Sequence, residues 1–308
     1  MHPSKISEKE DRFAETLKLP SGRTFKNVGT VTIPGGFEIT SIRPTDPTYY
    51  YPADTTKKSI CLHFTVGYIM SDIEALSKPG NHVSVSYVVD RAGRIYELFP
   101  DNNWSYHLGS GTIGGNTALS KQSIGIEISN YGPLTMKNGK LYDAYGSVYC
   151  TAKETEFYEE HEYRGNKHYA LMSPIQIAAT ASLVKYLAAK HSIRLDFVKD
   201  DEPFDDASTA LNFNGVFFHS NVRKDKFDWP LSLSMKSIAD ACTEKPKETP
   251  KVSPAEPEEE HARCEDPAKK VTPKATTKKA ASPKASSRNP LDSIREAITG
   301  FLQILHLR

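Results

Sequence analysis

No stretch of the chain approaches the roughly 18 consecutive apolar residues that a membrane-crossing helix needs, which excludes a transmembrane segment from the sequence. An apolar stretch is also missing from Met1–Glu10. This reads as the absence of a standard secretory signal peptide and predicts synthesis in the cytoplasm. Charge of one sign is lacking: 39 Lys and Arg face 38 Asp and Glu, a net of +1, which argues against a generic nucleic-acid binder. Cysteine is sparse. Cys61, Cys150, Cys242 and Cys264 form no C-x-x-C pair, so a zinc ribbon and a thioredoxin-type motif are excluded and reduced thiols are expected.

Mean hydropathy is low, at -0.50, yet 13 Phe, 15 Tyr and 2 Trp are too many for a wholly disordered chain. A polar segment therefore dilutes an ordinary core. From Thr243 to Pro290 there is no Phe, Trp, Tyr, Leu, Ile or Met, and 8 of the 20 prolines fall there. Such composition cannot offset the entropy of ordering, so residues 243–289 read as a disordered charged linker. Its acidic patch (Glu256, Glu258, Glu259, Glu260, Glu265, Asp266) precedes a basic run from Lys269 to Arg288, the pattern of a solvated spacer. Residues 290–308 differ. Asn289 suits an N-cap and Pro290 the first helical position, and Leu291, Ile294, Ile298, Phe301, Leu302 and Leu305 recur on one face. An amphipathic helix is predicted, its apolar face needing a partner: protein or a membrane surface. Arg295 and Arg308 are its only fixed cations, which favours protein.

Residues 1–242 read as one α/β unit without internal repeats. Ser59–Val66 has the composition of a buried strand. Val83–Asp90 and Arg94–Phe99 read as a hairpin turning at Arg91-Ala92-Gly93. Ser123–Ser129 alternates Ile124, Ile126 and Ile128 inward, which predicts another strand with Glu127 on the opposite side. A short helix is predicted from Ser71, with Glu74 completing a capping box. A long one is predicted after Ser173, with Pro174 first and Gln176 closing the box, running through Leu183, Val184 and Leu187 to about His191.

Two apparent motifs fail on context. Gly109-Ser110-Gly111-Thr112-Ile113-Gly114 fits G-x-G-x-x-G, but no apolar strand precedes it, so it reads as a flexible loop. His161-Glu162 and His168 lie seven residues apart rather than at the four-residue spacing of a zincin helix, and Arg164-Gly165-Asn166 would break a helix. A surface loop is expected there. The dispersed signal is stronger. His63 stands in an apolar strand, His219 ends the run Val216-Phe217-Phe218, and Asp228 follows in the next loop. Two imidazoles and a carboxylate would leave a fourth tetrahedral position open, the form of a catalytic zinc site. Spacing alone leaves open whether they converge.

Taken in order, Leu62-His63-Phe64-Thr65, Val83–Gly93, Trp104-Ser105-Tyr106-His107-Leu108-Gly109, Ser123-Ile124-Gly125-Ile126-Glu127, His219-Ser220 and Lys226-Phe227-Asp228 resemble the zinc-dependent N-acetylmuramoyl-L-alanine amidases. The resemblance covers about Ser59 to Pro230. It implies a mixed central β-sheet flanked by helices, a single catalytic domain over residues 1–242, and Zn²⁺ held by His63, His219 and Asp228. It further implies Glu127 as general base, Lys226 beside the reacting carbonyl, and His107 as a contact in the substrate groove. Two positions depart from the family: Ser86 stands where many relatives carry His, and Asp228-Trp229-Pro230 replaces Asp-Pro-Gly.

The implied reaction is hydrolysis of the amide between N-acetylmuramic acid and L-alanine, with peptidoglycan as the partner. The expected setting is a phage endolysin or a bacterial wall hydrolase, reaching the wall after release or non-classical export. The rivals are a non-catalytic peptidoglycan-recognition module and a cytoplasmic muropeptide-recycling amidase. Seven tyrosines between Tyr131 and Tyr169 read equally as a sugar-binding groove or as an aromatic-rich insertion.

Overall fold

A computed structural model of the chain describes residues 1–199, 202–226 and 233–243, the last including side chains from residue 236. In chain order the elements are α1 (Pro3–Thr16), β1 (Phe25–Thr32), β2 (Glu38–Pro44), β3 (Ser59–Phe64), α2 (Ile69–Leu76), β4 (Tyr87–Val89), β5 (Ile95–Glu97), α3 (Asn116–Gln122) and β6 (Ser123–Ile128). An insertion follows with β7 (Pro133–Lys137), β8 (Lys140–Tyr142), β9 (Val148–Thr151), β10 (Tyr158–Tyr163) and β11 (Asn166–Ala170). The chain returns through α4 (Pro174–His191) and α5 (Ala207–Asn212) to β12 (Gly215–Phe218), and then α6 (Leu233–Thr243).

The central sheet has the order β1-β2-β5-β4-β6-β3-β12 among the described residues. The four consecutive strands β4, β6, β3 and β12, the last at the edge, run parallel, as do β2 and β5, while β1/β2 and β4/β5 are antiparallel pairs. This is the mixed sheet flanked by helices that the sequence implies. In-register pairing sets Ile60 beside Ile124 and Leu62 beside Ile126, and successive side chains alternate faces. One face therefore carries Ile60, Leu62, Ile124, Ile126, Ile128, Val216 and Phe218, packed with Ala179, Leu183, Val184 and Leu187 of α4. Each such aliphatic side chain contributes about 1.5–3 kcal/mol by leaving water. The opposite face is polar toward its end: Ser59 pairs with Ser123, Cys61 with Gly125, and His63 with Glu127.

Helix α4 begins where expected. Ser173 Oγ accepts the Gln176 N–H at 3.1 Å. Gln176 does not close the box, however. Its amide donates to Val89 O (3.1 Å) and Ser129 O (3.0 Å), tying α4 to the ends of β4 and β6. Helix α2 starts at Ile69 rather than Ser71. Ser71 lies in its first turn, where its hydroxyl donates to Tyr68 O at 2.8 Å. The Arg91-Ala92-Gly93 turn forms, with Asp90 Oδ1 accepting the amides of Ala92 (3.0 Å) and Arg94 (2.9 Å). Strands β4 and β5 are shorter than the alternation suggests.

His161 and Glu162 lie on β10 and His168 on β11 rather than in a surface loop. The turn between the two strands uses left-handed Arg164 and Gly165. The G-x-G-x-x-G segment precedes the seven-residue α3 but follows no named strand. The insertion forms a five-stranded sheet in the order β10-β11-β7-β8-β9. Its tyrosines are mostly buried: Tyr131, Tyr149 and Tyr158 pack in the insertion's own core, and Tyr163 and Tyr169 reach the core between the central sheet and α4. The linker at 243–289 lies outside the described residues but for Thr243, which ends α6, and the predicted helix at 290–308 lies wholly outside them.

Candidate active site

The site forms where the parallel strands end. β12 pairs with β3 so that Phe218 lies beside Leu62, which sets His219 next to His63. The two Nδ1 atoms are 3.0 Å apart. Both residues are buried. Their other ring nitrogens are engaged. His219 Nε2 donates to Leu108 O at 2.8 Å, and His63 Nε2 lies 3.0 Å from His107 Nδ1. His107 Nε2 in turn lies 3.0 Å from Ser123 Oγ. Half-buried Glu127 stands one strand over, in register with His63.

These side chains open into a cleft of about 660 Å³, within the range usual for ligand pockets. Phe64 and Val66 follow from β3, Tyr106 to Ser110 form one wall, and Pro133, Tyr145 and Asn166 come from the insertion. Arg223, Asp225 and Lys226 follow His219 and close another side. Of the seven insertion tyrosines, Tyr145 alone is among the lining residues, and its hydroxyl donates to Val66 O at 3.0 Å. Partial desolvation, then the Asp72 and Asp143 carboxylates, pushes its pKa up to about 12, so it remains a neutral donor. The aromatic-rich-insertion reading therefore accounts for most of these tyrosines. The cleft is lined by Ser84 and Val85 but not by Ser86.

The donor set suits a divalent transition ion. Because a carbonyl can only accept, His219 Nε2 carries the proton, and in the neutral ring Nδ1 is the nitrogen with a lone pair for a metal ion. Two nitrogens on one tetrahedral zinc, each at about 2.0–2.1 Å, lie roughly 3.3 Å apart. The observed 3.0 Å separation needs only a small outward shift to match. Asp228, the expected third ligand, lies outside the described residues. A second grouping shares His63: ligand atoms of Cys61, His63 and His107 lie within 4.8 Å of one another. In that grouping His63 and His107 line the cleft, whereas Cys61 is fully buried among Leu108, Leu119, Phe217 and Val222.

Sequence reasoning identified His63, His107, Glu127, His219 and Lys226, and all five line this one cleft. It missed the residues that shape it. Gly125 is one: a Cβ there would lie 2.8 Å from Val85 Cγ1 and 3.1 Å from His107 Cγ and Nδ1, so only glycine lets the His107 ring lie on the sheet. A glycine between isoleucines in a strand was the available signal. Gly109 is another, left-handed at φ +81°, where a Cβ would meet the Arg223 guanidinium. That guanidinium donates to Leu108 O at 3.3 Å, the carbonyl that also holds His219. Burial, then the neighbouring His63, His219 and Lys57, holds the His107 pKa well below the usual imidazole range.

Comparison with known proteins adds a family. The family model described as N-acetylmuramoyl-L-alanine amidase matches residues 53–226. A search of the curated proteins finds no match. Among solved structures, the chain is similar to the amidase AmiD from E. coli in complex with anhydro-N-acetylmuramic acid-L-Ala-D-γ-Glu-L-Lys, at 24% identity and TM-score 0.32, over 47% of this chain and 48% of that one. It thus spans about half of that relative's length. It is also similar to the amidase LysC from Clostridium intestinale (17% identity, TM-score 0.32, 60% of this chain and 85% of that one). A third is the Staphylococcus aureus hydrolase AmiA with its ligand (14% identity, TM-score 0.38, 66% and 82%).

Proposed function

The chain belongs to the N-acetylmuramoyl-L-alanine amidase family, and we propose that it is a zinc-dependent amidase that cleaves the bond between the lactyl group of N-acetylmuramic acid and L-alanine in peptidoglycan. The observation that carries this reading is the facing pair of His63 and His219 Nδ1 atoms, 3.0 Å apart, with Glu127 in register beside them. His63, His219 and Asp228 would hold the ion. When bound, zinc supplies Lewis acidity toward the amide carbonyl and acidifies water.

The chain's own groups do the rest. The Glu127 carboxylate takes the proton from the attacking water and returns it to the departing amine, general acid-base work worth about 10²–10⁴ in rate. The Lys226 ammonium donates to the carbonyl oxygen as negative charge grows on it. The His107 ring and the Tyr106–Ser110 wall confine the glycan-peptide junction. Phe64, Val66 and Leu76 offer apolar surface to the stem peptide. The setting is a lytic one, phage or bacterial, with intact wall as substrate.

Digestion of purified sacculi, with product masses read by spectrometry, tests the reading. Clearing should stop on metal stripping, return with zinc, and release stem peptides with a free L-alanine amine. Clearing that survives thorough metal removal refutes the zinc site. Cleavage restricted to soluble muropeptides reassigns the enzyme to recycling.

A further inference from the structure

His107 lines the cleft, yet both of its ring nitrogens face protein rather than the open space. Nδ1 lies 3.0 Å from His63 Nε2 and Nε2 lies 3.0 Å from Ser123 Oγ. The direction of this hydrogen-bond chain follows from its far end. Ser123 Oγ is 2.6 Å from Leu119 O. A carbonyl has no proton to give, so the single Ser123 hydroxyl proton points there. Ser123 must then accept from His107 Nε2–H, and a ring protonated at one nitrogen only then has Nδ1 as its acceptor. His63 Nε2 is thereby the donor.

We propose that His107 is a positioning residue: by accepting the Nε2 proton of His63 it holds that imidazole in the tautomer and ring angle whose Nδ1 lone pair is turned toward His219. His219 receives the same treatment from a carbonyl, since Leu108 O accepts its Nε2 proton. The two outer partners, His107 and Leu108, are adjacent in sequence. One short segment therefore orients both imidazoles. Gly125 makes room for the His107 ring, and Ser123, two residues earlier on the same strand, orients it. The relay Leu119 O, Ser123, His107, His63 thus links the end of α3 to the proposed metal-binding nitrogen.

The zinc part of this proposal rests on the reading given under Proposed function; the tautomer part does not. In the metal-free full-length protein, long-range ¹H–¹⁵N NMR of the histidine side chains should show His63 and His107 each protonated at Nε2. A His63 ring unprotonated at Nε2 overturns the proposal, whether or not zinc binds. Chelator competition should show zinc affinity about 10–100-fold weaker in His107→Phe, which keeps the bulk but removes the acceptor. His107→Gln, whose amide oxygen accepts, should recover most of it. Circular dichroism confirms that both variants are folded. Unchanged affinity in folded His107→Phe overturns the proposal. So does a stoichiometry of two zinc ions that falls to one in Cys61→Ser, because His63 Nε2 would then be a ligand. Absence of zinc binding by the wild type overturns the metal reading of the site, and the tautomer measurement then decides the role of His107 by itself.

Discussion

Replacing Gly125 by alanine adds one methyl group at the most crowded point of the site. The new Cβ would sit 2.8 Å from Val85 Cγ1 and 3.1 Å from two atoms of the His107 ring. Neither neighbour is the free end of a flexible chain. Val85 is 1% exposed and packs with Leu98 and Phe99, and His107 is held at both nitrogens. Overpacking of this kind costs about 1–3 kcal/mol. Removing a glycine from a strand offsets about 0.5–1 kcal/mol. The net loss is roughly 1–2 kcal/mol, equivalent to a drop of about 2–8 °C in melting temperature for a unit of this size. The displaced ring also slackens the hold on His63, so zinc affinity should fall by up to about 100-fold. Gly29→Ala is the control, because a Cβ there meets nothing within 4 Å and the backbone is not left-handed. It should be neutral or slightly stabilising. Calorimetry and chelator competition on both variants test the argument. A Gly125→Ala protein that melts at or above the wild type with unchanged zinc affinity would refute it.

Glu127→Gln keeps the shape of the proposed base but removes its charge. Turnover on sacculi should drop about 10²–10⁴-fold while zinc stays bound, and retained activity would dismiss Glu127 as the base. Glu10, buried on α1, has its pKa raised to about 8, first by desolvation and then moderated by Arg91. A carboxyl raised in the folded state favours folding while protonated. Its contribution is complete below the ordinary value of 4.5 and is lost as pH climbs toward about 8. Glu10→Gln should therefore flatten the fall in unfolding free energy, read by urea titration, across that window, by on the order of a few kcal/mol at its upper end; an unchanged pH profile would count against a buried acid there. Leu183→Ala, at a fully buried position between α4 and the sheet, should cost about 2–5 kcal/mol, and a loss below 1 kcal/mol would mean that the helix is not packed as described.

What was legible in the sequence follows from how local each signal is. Strand β6 could be read because Ile124, Ile126 and Ile128 alternate within one segment. Helix α4 could be read because Ser173, Pro174 and the apolar run lie together. Helix α1 escaped notice because its buried stripe is Pro3, Ile6, Glu10 and Phe13, and an acid in that stripe breaks the apolar period. The tyrosines of the insertion resisted assignment because strands such as Lys140–Tyr142 are three residues long, too short to show a period. Gln176 was read as a cap partner when its amide crosses to two other strands. That function has no trace in the local pattern.

The site shows the same limit from the other side. His63 and His219 are 156 positions apart, and no spacing rule connects them. What does connect them is the parallel register of β12 on β3, which depends on four helices, three strands of the central sheet and a whole second sheet folding between them. Sequence could nominate both histidines only through their place, His63 within an apolar strand and His219 at the end of an apolar run, and through family resemblance. The orientation of their rings lies one step further away. It depends on a serine hydroxyl with a single proton, a carbonyl that cannot donate, and a glycine that leaves room for a third imidazole. Each of these is ordinary in isolation, and none is chemically reactive. If ring orientation is set this way, substitutions at Ser123, Gly125 and Gly109 should weaken metal binding more than their chemistry suggests, while substitutions at the exposed lining residues Ser110 and Tyr145 should not. A systematic alanine scan of the cleft walls, read by zinc affinity rather than by turnover, separates these two groups; equal effects in both would mean that the histidines orient themselves.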